Sequence, residues 1–429
     1  MKKNDLLEKM NSKVIFSKPS GSLVYFIEDL NSINQEELEK LGIYAVSDGM
    51  ELIDFKVDGF FDISHMYGVE SWAPREFVSL EDFYHHYDFF NSKVTYGKMI
   101  KCFDVFEDRS KYVDAKVYLD VNGVTVKGEN CFPGYRAILN GIEYEVVDRV
   151  LLEERISSGA DLTKLCTSLV SDMYGLFKSD IPDDSDSTTI SKYSLNQFNQ
   201  PIGNWDVSNV TNMSRMFDGS IFNQPIGNWD VSSVTDMSYM FQESIFNQPI
   251  GNWDVSNVTN MRNMFCKSKF NQPIGDWDVR NVTNMSLIFS NSKFNQPIGN
   301  WNVSNVSEMS GMFMVSDFNQ PTGNWDVCNV KDMRYMFHGS IFNQPIGDWD
   351  VSNVTNLSLM FMTSIFNQPI ENWDVSNVTN MAFMFSESEF NQPIGDWDVS
   401  NVTDMSYMFD GSNFNQSIDN WVINKEAKK

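Results

Sequence analysis

An aspartate that recurs every 24 residues is the most regular charged feature of this sequence. Two interpretations are open: each carboxylate accepts hydrogen bonds from neighbouring Asn, Ser or backbone donors and so aligns the repeats, or the column binds divalent cations or a basic ligand. If the column binds cations, calcium should raise the melting temperature and a chelator should lower it. Asn302 replaces aspartate in one repeat. The column comprises Asp206, Asp230, Asp254, Asp278, Asp326, Asp350, Asp374 and Asp398.

Few other residues have the types and spacing that a catalytic or metal-binding site needs. Repeated carboxylates have identical surroundings, so they cannot supply an acid and a base with separated pKa values. His85 and His86 are adjacent and cannot share a helix face, while His65 lies apart and His338 falls at a variable turn. These histidines leave a metal site or simple packing roles open. The sequence has no nucleophile elbow, P-loop or Gly-x-Gly-x-x-Gly motif, so we expect no enzyme and no catalytic or metal-binding residue.

Charge and cysteine content narrow the classes of partner. The 58 acidic and 32 basic residues give a formal net charge of -26, which opposes binding to nucleic acid or to anionic membranes. We therefore expect a protein or a host-surface ligand as partner and no cofactor, calcium being the one alternative. Five scattered cysteines without a Cys-x-x-Cys pair predict neither a disulfide framework nor a zinc site.

Targeting signals are not evident in the sequence. The N-terminus lacks the apolar core of a secretory signal, and no run approaches the roughly 20 apolar residues of a membrane-spanning helix. We expect no membrane insertion, and display on a virus particle or a cell surface without an N-terminal Sec signal. A cytoplasmic location is the alternative.

The segments before the repeats differ from them in composition. Residues 1–115 predict an α+β domain with a helix over 35–41, a strand over 52–57 and a second helix from 79. This domain could serve as an anchor or assemble copies of the chain. Residues 116–160 predict a lead-in rich in β-hairpins, because strand-like segments flank Asn-Gly dipeptides at 122–123 and 140–141, each of which suits a two-residue type I′ turn.

The lead-in should end in a helix capped by Asp148 and running toward Gly159. Residues 161–177 align with the second half of a repeat and predict a degenerate capping half-repeat. A polar insert, 178–197, interrupts the phase and predicts a surface loop.

Residues 198–421 contain nine complete 24-residue repeats and a truncated tenth, followed by a tail, 422–429. A constant period is typical of a solenoid, because each coil must place equivalent residues above the preceding ones. The pair Asn199-Gln200 precedes a proline in the first repeat, and we expect this pair to hydrogen-bond from coil to coil.

Within each repeat the apolar spacing changes from a strand-like to a helix-like period. Ile202, Trp205 and Val207 favour an extended stretch, whereas Met213, Met216 and Phe217 recur with helical spacing. Thr211 or Asn212 could cap this helix, and the glycines Gly219, Gly339 and Gly411 suit its C-terminal end. The fold class that follows is an α/β-type, leucine-rich-repeat-like solenoid with one short strand and one short helix per coil.

One tryptophan per repeat should stack along the solenoid axis. The column comprises Trp205, Trp229, Trp253, Trp277, Trp301, Trp325, Trp349, Trp373 and Trp397.

Repeats differ mainly at the predicted helix edge and the following turn, where for example Ser214-Arg215 in one repeat corresponds to Arg262-Asn263 in another. Either a specific partner contacts this edge or the variation is neutral.

The repeat Phe-Asn-Gln-x-Ile-x-x-Trp-Asp-Val-Ser-x-Val-Thr-Asn-Met-x-x-Met-Phe resembles the BspA-like, leucine-rich-repeat-related surface protein family over about 140–421. The resemblance implies an exposed, non-enzymatic repeat protein for recognition, adhesion or structural display. Such proteins occur in bacteria, protists and large viruses, and a virion protein would need no export signal. The alternatives are an intracellular protein-interaction scaffold and, less favoured, an enzyme that uses the solenoid as a targeting module.

Overall fold

The computed structural model describes residues 114–179 and 196–428, and the backbone of four short strands nearer the N-terminus. The chain divides into two units, Met1–Ala115 and Lys116–Lys429. In the N-terminal unit, β1 (Lys13–Ser17), β2 (Leu23–Phe26), β3 (Tyr44–Ala45) and β4 (Cys102–Val105) form an antiparallel sheet of order β1-β2-β4-β3. The segments 35–41 and 52–57 and the helix expected from residue 79 lie outside the described residues.

The C-terminal unit opens with two hairpins. Strands β5 (Lys116–Leu119) and β6 (Val126–Glu129) pair antiparallel, and so do β7 (Arg136–Leu139) and β8 (Ile142–Val146). Helix α1 (Arg149–Ser157) and a single 3-10 turn (Leu162–Lys164) follow, and β9 (Leu165–Cys166) then adds parallel to β8.

The Asn-Gly dipeptides of the two hairpins behave differently. At the second hairpin Leu139 pairs with Ile142, and Asn140 and Gly141 have φ of 53° and 81°, as a two-residue type I′ turn requires. At the first hairpin Leu119 pairs with Val126, so the predicted two-residue turn is wrong and the connection is six residues long. Here the Asn122 side chain accepts hydrogen bonds from the backbone of Val124 and Thr125, which stabilises the wider loop.

Helix α1 begins where the sequence predicts it. The Asp148 side chain accepts a hydrogen bond from the Leu151 backbone N–H at 2.9 Å, and the helix ends just before Gly159, which has φ of 69°. Leu152 on this helix is fully buried and belongs to the same core as the repeats. The lead-in therefore packs directly onto the first coil.

The repeats form a solenoid of stacked coils, but the prediction of one short strand and one short helix per coil is wrong. In the described part of the array each coil contains single-residue parallel bridges, such as Asn212 to Asp236, in place of a strand. The segment expected to be helical is a series of hydrogen-bonded turns, including Met213–Met216 and Phe217–Ser220. The leucine-rich-repeat-like α/β description therefore does not apply to these coils.

Backbone geometry explains why the apolar spacing at Met213, Met216 and Phe217 does not produce a helix. Arg215, Gly219 and the residues equivalent to them in every other complete repeat have φ between 52° and 66°. Left-handed residues at the third position of successive turns prevent a right-handed helix and are typical of type II turns. Gly219 therefore occupies a turn and is not a helix terminus.

The coils are joined by a regular backbone ladder. In the first repeat the N–H groups of Met213, Arg215, Phe217 and Gly219 donate to carbonyls of the next coil at 2.8–2.9 Å. The intervening N–H groups close the turns within the coil. Asn212, predicted as a helix cap, instead accepts a hydrogen bond from the Ser214 N–H at 3.0 Å.

The core is one continuous set of apolar columns. Equivalent phenylalanines stack from coil to coil, with ring centroids 5.6 Å apart for Phe217 and Phe241 and 6.2 Å apart for Phe222 and Phe246. The methionine, valine and isoleucine columns are almost completely buried between them. An isolated coil would expose both of these faces, so stability requires stacking.

The segment before the first repeat has the same pattern of contacts as a coil. Asp172 bridges to Asn212, and Met173 and Phe177 donate to the coil that follows. The pairing offset is 40 residues here but 24 from Asn196 onward. Most of the predicted polar insert, 178–197, lies outside the described residues.

Candidate functional site in the exposed columns

The aspartate column forms an exposed ridge of the solenoid, with Asp206 buried and Asp278 half-buried. Each side chain accepts a hydrogen bond from the backbone N–H two residues further along the same coil, as Asp374 does from Ser376 at 3.0 Å. Asn302 makes the same bond from Ser304 at 3.2 Å. The column therefore stabilises the turn that follows it, which at the first repeat is Val207–Val210.

This geometry corrects the interpretation that the carboxylates align the coils. Most of their hydrogen bonds lie within one coil, and only Asp206 bonds to a neighbouring layer, accepting from the Ser168 hydroxyl. Three members have a lowered pKa. Arg280 lowers that of Asp278, and the hydroxyl and N–H of Ser352 and Ser400 lower those of Asp350 and Asp398. In the described residues no group of three or more His, Cys, Asp or Glu side chains is arranged to hold a metal ion.

Coils are aligned by amides and tryptophans. Asn319 Oδ1 accepts from the Asn343 N–H at 3.0 Å and from Gln344 Nε2 at 3.1 Å, and this pair of bonds repeats along the array. The expected coil-to-coil bonding by the Asn-Gln pair is thereby confirmed. Each tryptophan indole N–H donates to a carbonyl of the preceding coil, for example from Trp373 to Ile346 at 3.0 Å. Trp229 and Trp253 stack with ring centroids 6.5 Å apart.

The histidine and cysteine candidates do not form a reactive group in the described part of the chain. His338 is half-buried beside the Tyr335 ring, and burial lowers its pKa. Burial raises the pKa of Cys266 to about 11, and the neighbouring Asp326 raises that of Cys328. A raised pKa keeps a thiol protonated and weakly nucleophilic at neutral pH. His65, His85 and His86 lie outside the described residues.

Variation between repeats is concentrated on one strip that we call the variable edge. It comprises the three columns that start at Arg215, Gly219 and Ile221 and continue at 24-residue spacing; the column that starts at Asp218 varies as much, but all its members except the last are buried or half-buried. Side chains of the first column lie over the next coil: the Arg215 guanidinium is 4.4 Å from the centre of the Tyr239 ring, and Phe383 stacks on Tyr407 at 5.0 Å. The edge thus presents side chains of widely different chemistry on a constant backbone.

The middle of the variable edge is apolar and exposed. Val315, Tyr335, Ile341 and Ile365 are 47, 37, 46 and 40 % exposed. Gly339 lies in the same coil as Tyr335 and Ile341, and a Cβ on it would lie 3.2 Å from a Val315 methyl group, so the Val315 side chain of the preceding coil packs close to this glycine. We call these four side chains the apolar segment. Sequence variability indicated this edge but not the clustering, which depends on which columns share a face.

Charged residues flank the apolar segment. Toward the N-terminus, Lys267 pairs with Glu243 at 2.8 Å and Lys293 pairs with Asp317 at 3.0 Å. Toward the C-terminus, Glu387 and Glu389 are exposed. An exposed apolar cluster with a polar border is typical of a binding surface.

A ladder-linked stack of coils with a shared core defines this protein as a repeat solenoid. The chain belongs to the family described as Mycoplasma protein of unknown function, DUF285, which matches residues 151–267, 186–293, 243–344, 266–364 and 339–429. No curated protein and no solved structure matches the chain. Among the described residues there is no helix of the length and apolar character needed to cross a membrane.

Proposed function

We propose that this protein is a non-enzymatic recognition protein, exposed on a virus particle or a cell, that binds a partner protein through its variable edge. The observation that carries the proposal is the apolar segment, Val315, Tyr335, Ile341 and Ile365, on a solenoid whose other repeated side chains are used for stacking and turns. Adhesion and structural display are both served by such an edge. The N-terminal unit would attach or assemble the chain.

The side chains that are the same in nearly every repeat have structural contacts, which supports a binding role without catalysis. Tryptophan, asparagine and phenylalanine hold the coils together, and aspartate holds a turn. We propose that no cofactor is required. The BspA-like resemblance of the repeat adds that the setting is an exposed surface.

The composition of the edge indicates the chemistry of the partner. Apolar side chains would contact the apolar segment, and basic side chains would lie beside Glu387 and Glu389. The overall charge of -26 disfavours an acidic partner. A polypeptide that combines apolar and basic side chains fits this surface.

Surface exposure is tested by fractionating the cells and particles that contain the protein. We expect it in purified particles or envelopes, where protease added from outside cleaves it without lysis. Recovery only in the soluble cytosolic fraction would contradict surface display and favour the intracellular scaffold.

Binding through the edge is tested with matched substitutions. Ile341→Lys combined with Ile365→Lys places charges in the apolar segment, whereas Thr355→Lys places one on a uniform column where Lys331 already occurs. We expect the double variant to lose attachment to host cells by at least about tenfold, because two apolar contacts are replaced by charges, and Thr355→Lys to retain it. Equal loss in both variants, or no loss in either, at unchanged melting temperature would contradict the proposal.

A further inference from the structure

Two buried cysteines meet where the lead-in packs onto the first coil. Cys131 follows strand β6 and Cys166 ends strand β9, and their exposures are 6 % and 0 %. Both are free thiols. Neither belongs to the variable edge or takes part in the proposed binding.

Gly128 leaves the space into which both sulfur atoms project. A Cβ placed on Gly128 would lie 3.2 Å from Cys166 Sγ and 3.3 Å from Cys131 Sγ. The two sulfur atoms therefore cannot be further apart than the sum of these distances. A larger residue at 128 would bring its Cβ into close contact with both sulfur atoms.

The two thiols are only loosely held by other groups. The Cys131 thiol donates to the Lys116 and Glu129 carbonyls at 3.3 Å, and Cys166 Sγ lies 3.5 Å from the Ser168 hydroxyl. Thiol hydrogen bonds are weak. Ser168 keeps stronger partners in the Gly128 N–H and Asp206, so a change at Cys166 would not leave it unpaired.

We propose that Cys131 and Cys166 are a disulfide-forming pair that locks the lead-in to the first coil. With a small-molecule disulfide as oxidant, one thiolate attacks it, forming a mixed disulfide and releasing one thiol. The second cysteine then displaces the other thiol, so two S–H bonds are replaced by one S–S bond and the oxidant is reduced to two thiols. Cys131, the more exposed of the two, reacts first.

The link would act on stability because it joins residues far apart in sequence. It closes the loop from 131 to 166, which contains β7, β8 and α1. Closing such a loop restricts the unfolded chain and holds the lead-in over the end of the core. Burial raises the pKa of both thiols, so the reaction should accelerate at alkaline pH, where the thiolate fraction increases.

The experiment treats the reduced full-length protein with oxidised glutathione at mildly alkaline pH, followed by non-reducing digestion and mass spectrometry. We expect one cross-linked peptide pair containing residues 131 and 166, and a melting temperature raised by about 5 °C. Cys131→Ser should abolish both effects. Cys266→Ser, a matched change of a buried thiol outside the pair, should leave both unchanged.

Gly128→Ala provides a second variant that keeps both thiols. Its Cβ would crowd both sulfur atoms and displace them from their present positions, so the yield of the cross-link should fall. Glutathione attached separately to both cysteines, cross-links to other cysteines, or two thiols that stay reduced after prolonged treatment would each overturn the proposal. Peptide mapping of the wild-type protein decides the point even where a variant fails to fold.

Discussion

At the scale of single residues, close approach between coils favours glycine in one column. A Cβ on Gly275 would lie 2.7 Å from the Pro297 carbonyl oxygen, and the same contact recurs at 2.6–3.0 Å in the other repeats that have this glycine. Glu371 occupies this position in one complete repeat, and Asp419 occupies it in the truncated tenth. The array therefore contains one pair of neighbouring coils that accommodates a Cβ at this position.

We expect Gly275→Ala to lower the free energy of unfolding by about 1–3 kcal/mol, because the added methyl group overpacks the gap between coils. Glu371→Gly should raise it by about 1 kcal/mol, the relief being partly offset by the greater chain entropy of glycine. Glu371→Ala retains the Cβ and serves as the control, with no change expected. Urea unfolding of the three variants measures this, and a neutral Gly275→Ala would show that the coils accommodate a Cβ.

The aspartate turns predict a second residue-level effect. Asp350→Ala should cost about 0.5–1.5 kcal/mol through the lost turn hydrogen bond, while Asp350→Asn should cost less at pH 7, because Asn302 makes the same bond and only the contribution of the charge is lost. The Asp350 pKa is lowered in the folded chain, so the contribution of its charge is complete above the unfolded pKa of about 3.9.

That contribution should disappear as the pH falls through the folded pKa. Wild type should therefore lose stability relative to Asp350→Asn below about pH 4. Chemical unfolding of the two proteins at neutral and acidic pH measures the difference. A stability difference that is independent of pH would contradict a role for the carboxylate charge.

At the scale of the coil, apolar periodicity predicted the core but not the backbone. Met213, Met216 and Phe217 are all buried as expected, yet they lie on turns and not on a helix. The missing information is the left-handed φ of Leu287, Tyr335 and Val315, residues that rarely adopt it on local grounds. Stacking and the ladder between coils impose this conformation, and neither can be inferred from a single repeat.

The aspartate column and the apolar segment were likewise only partly predictable from the sequence. Exposure of most of the aspartates followed from the alternation around the tryptophans, as at Trp373, but their bonding to the N–H two residues further along depends on a turn that the sequence did not reveal. The apolar segment required knowledge of which columns share a face. Variation between repeats alone could not separate a binding edge from neutral change.

An exact period implies that whole repeats are interchangeable. Deleting residues 270–293 removes one complete repeat and should preserve a folded array, because the ladder offset of 24 residues is restored at the junction. Deleting only 270–281 shifts tryptophan and methionine columns out of register and should prevent cooperative unfolding. Thermal melts monitored by tryptophan fluorescence compare the two, and equal behaviour would contradict coil-by-coil registration.

At the scale of the whole molecule, the lead-in closes the N-terminal end of the solenoid core. The Trp205 indole donates to the Leu162 carbonyl at 2.9 Å, and the Val126 N–H donates to the Asn204 carbonyl at 2.8 Å. Leu152 and Leu162 are buried in the same core as the coils. The first complete repeat therefore has a neighbour on this side although the lead-in is largely not a repeat.

Removing the lead-in should uncover this end. A fragment of residues 165–429 should melt at a lower temperature than residues 116–429 and bind a hydrophobic dye, because the contacts of Leu152 and Leu162, each worth roughly 1.5–3 kcal/mol when fully buried, are lost. The longer fragment is the control, since it lacks only the N-terminal unit, Met1–Ala115. Equal melting temperatures would mean that the ladder from Met173 and Phe177 alone closes the core. A lower value confined to the shorter fragment would establish the lead-in as the cap on which the array depends.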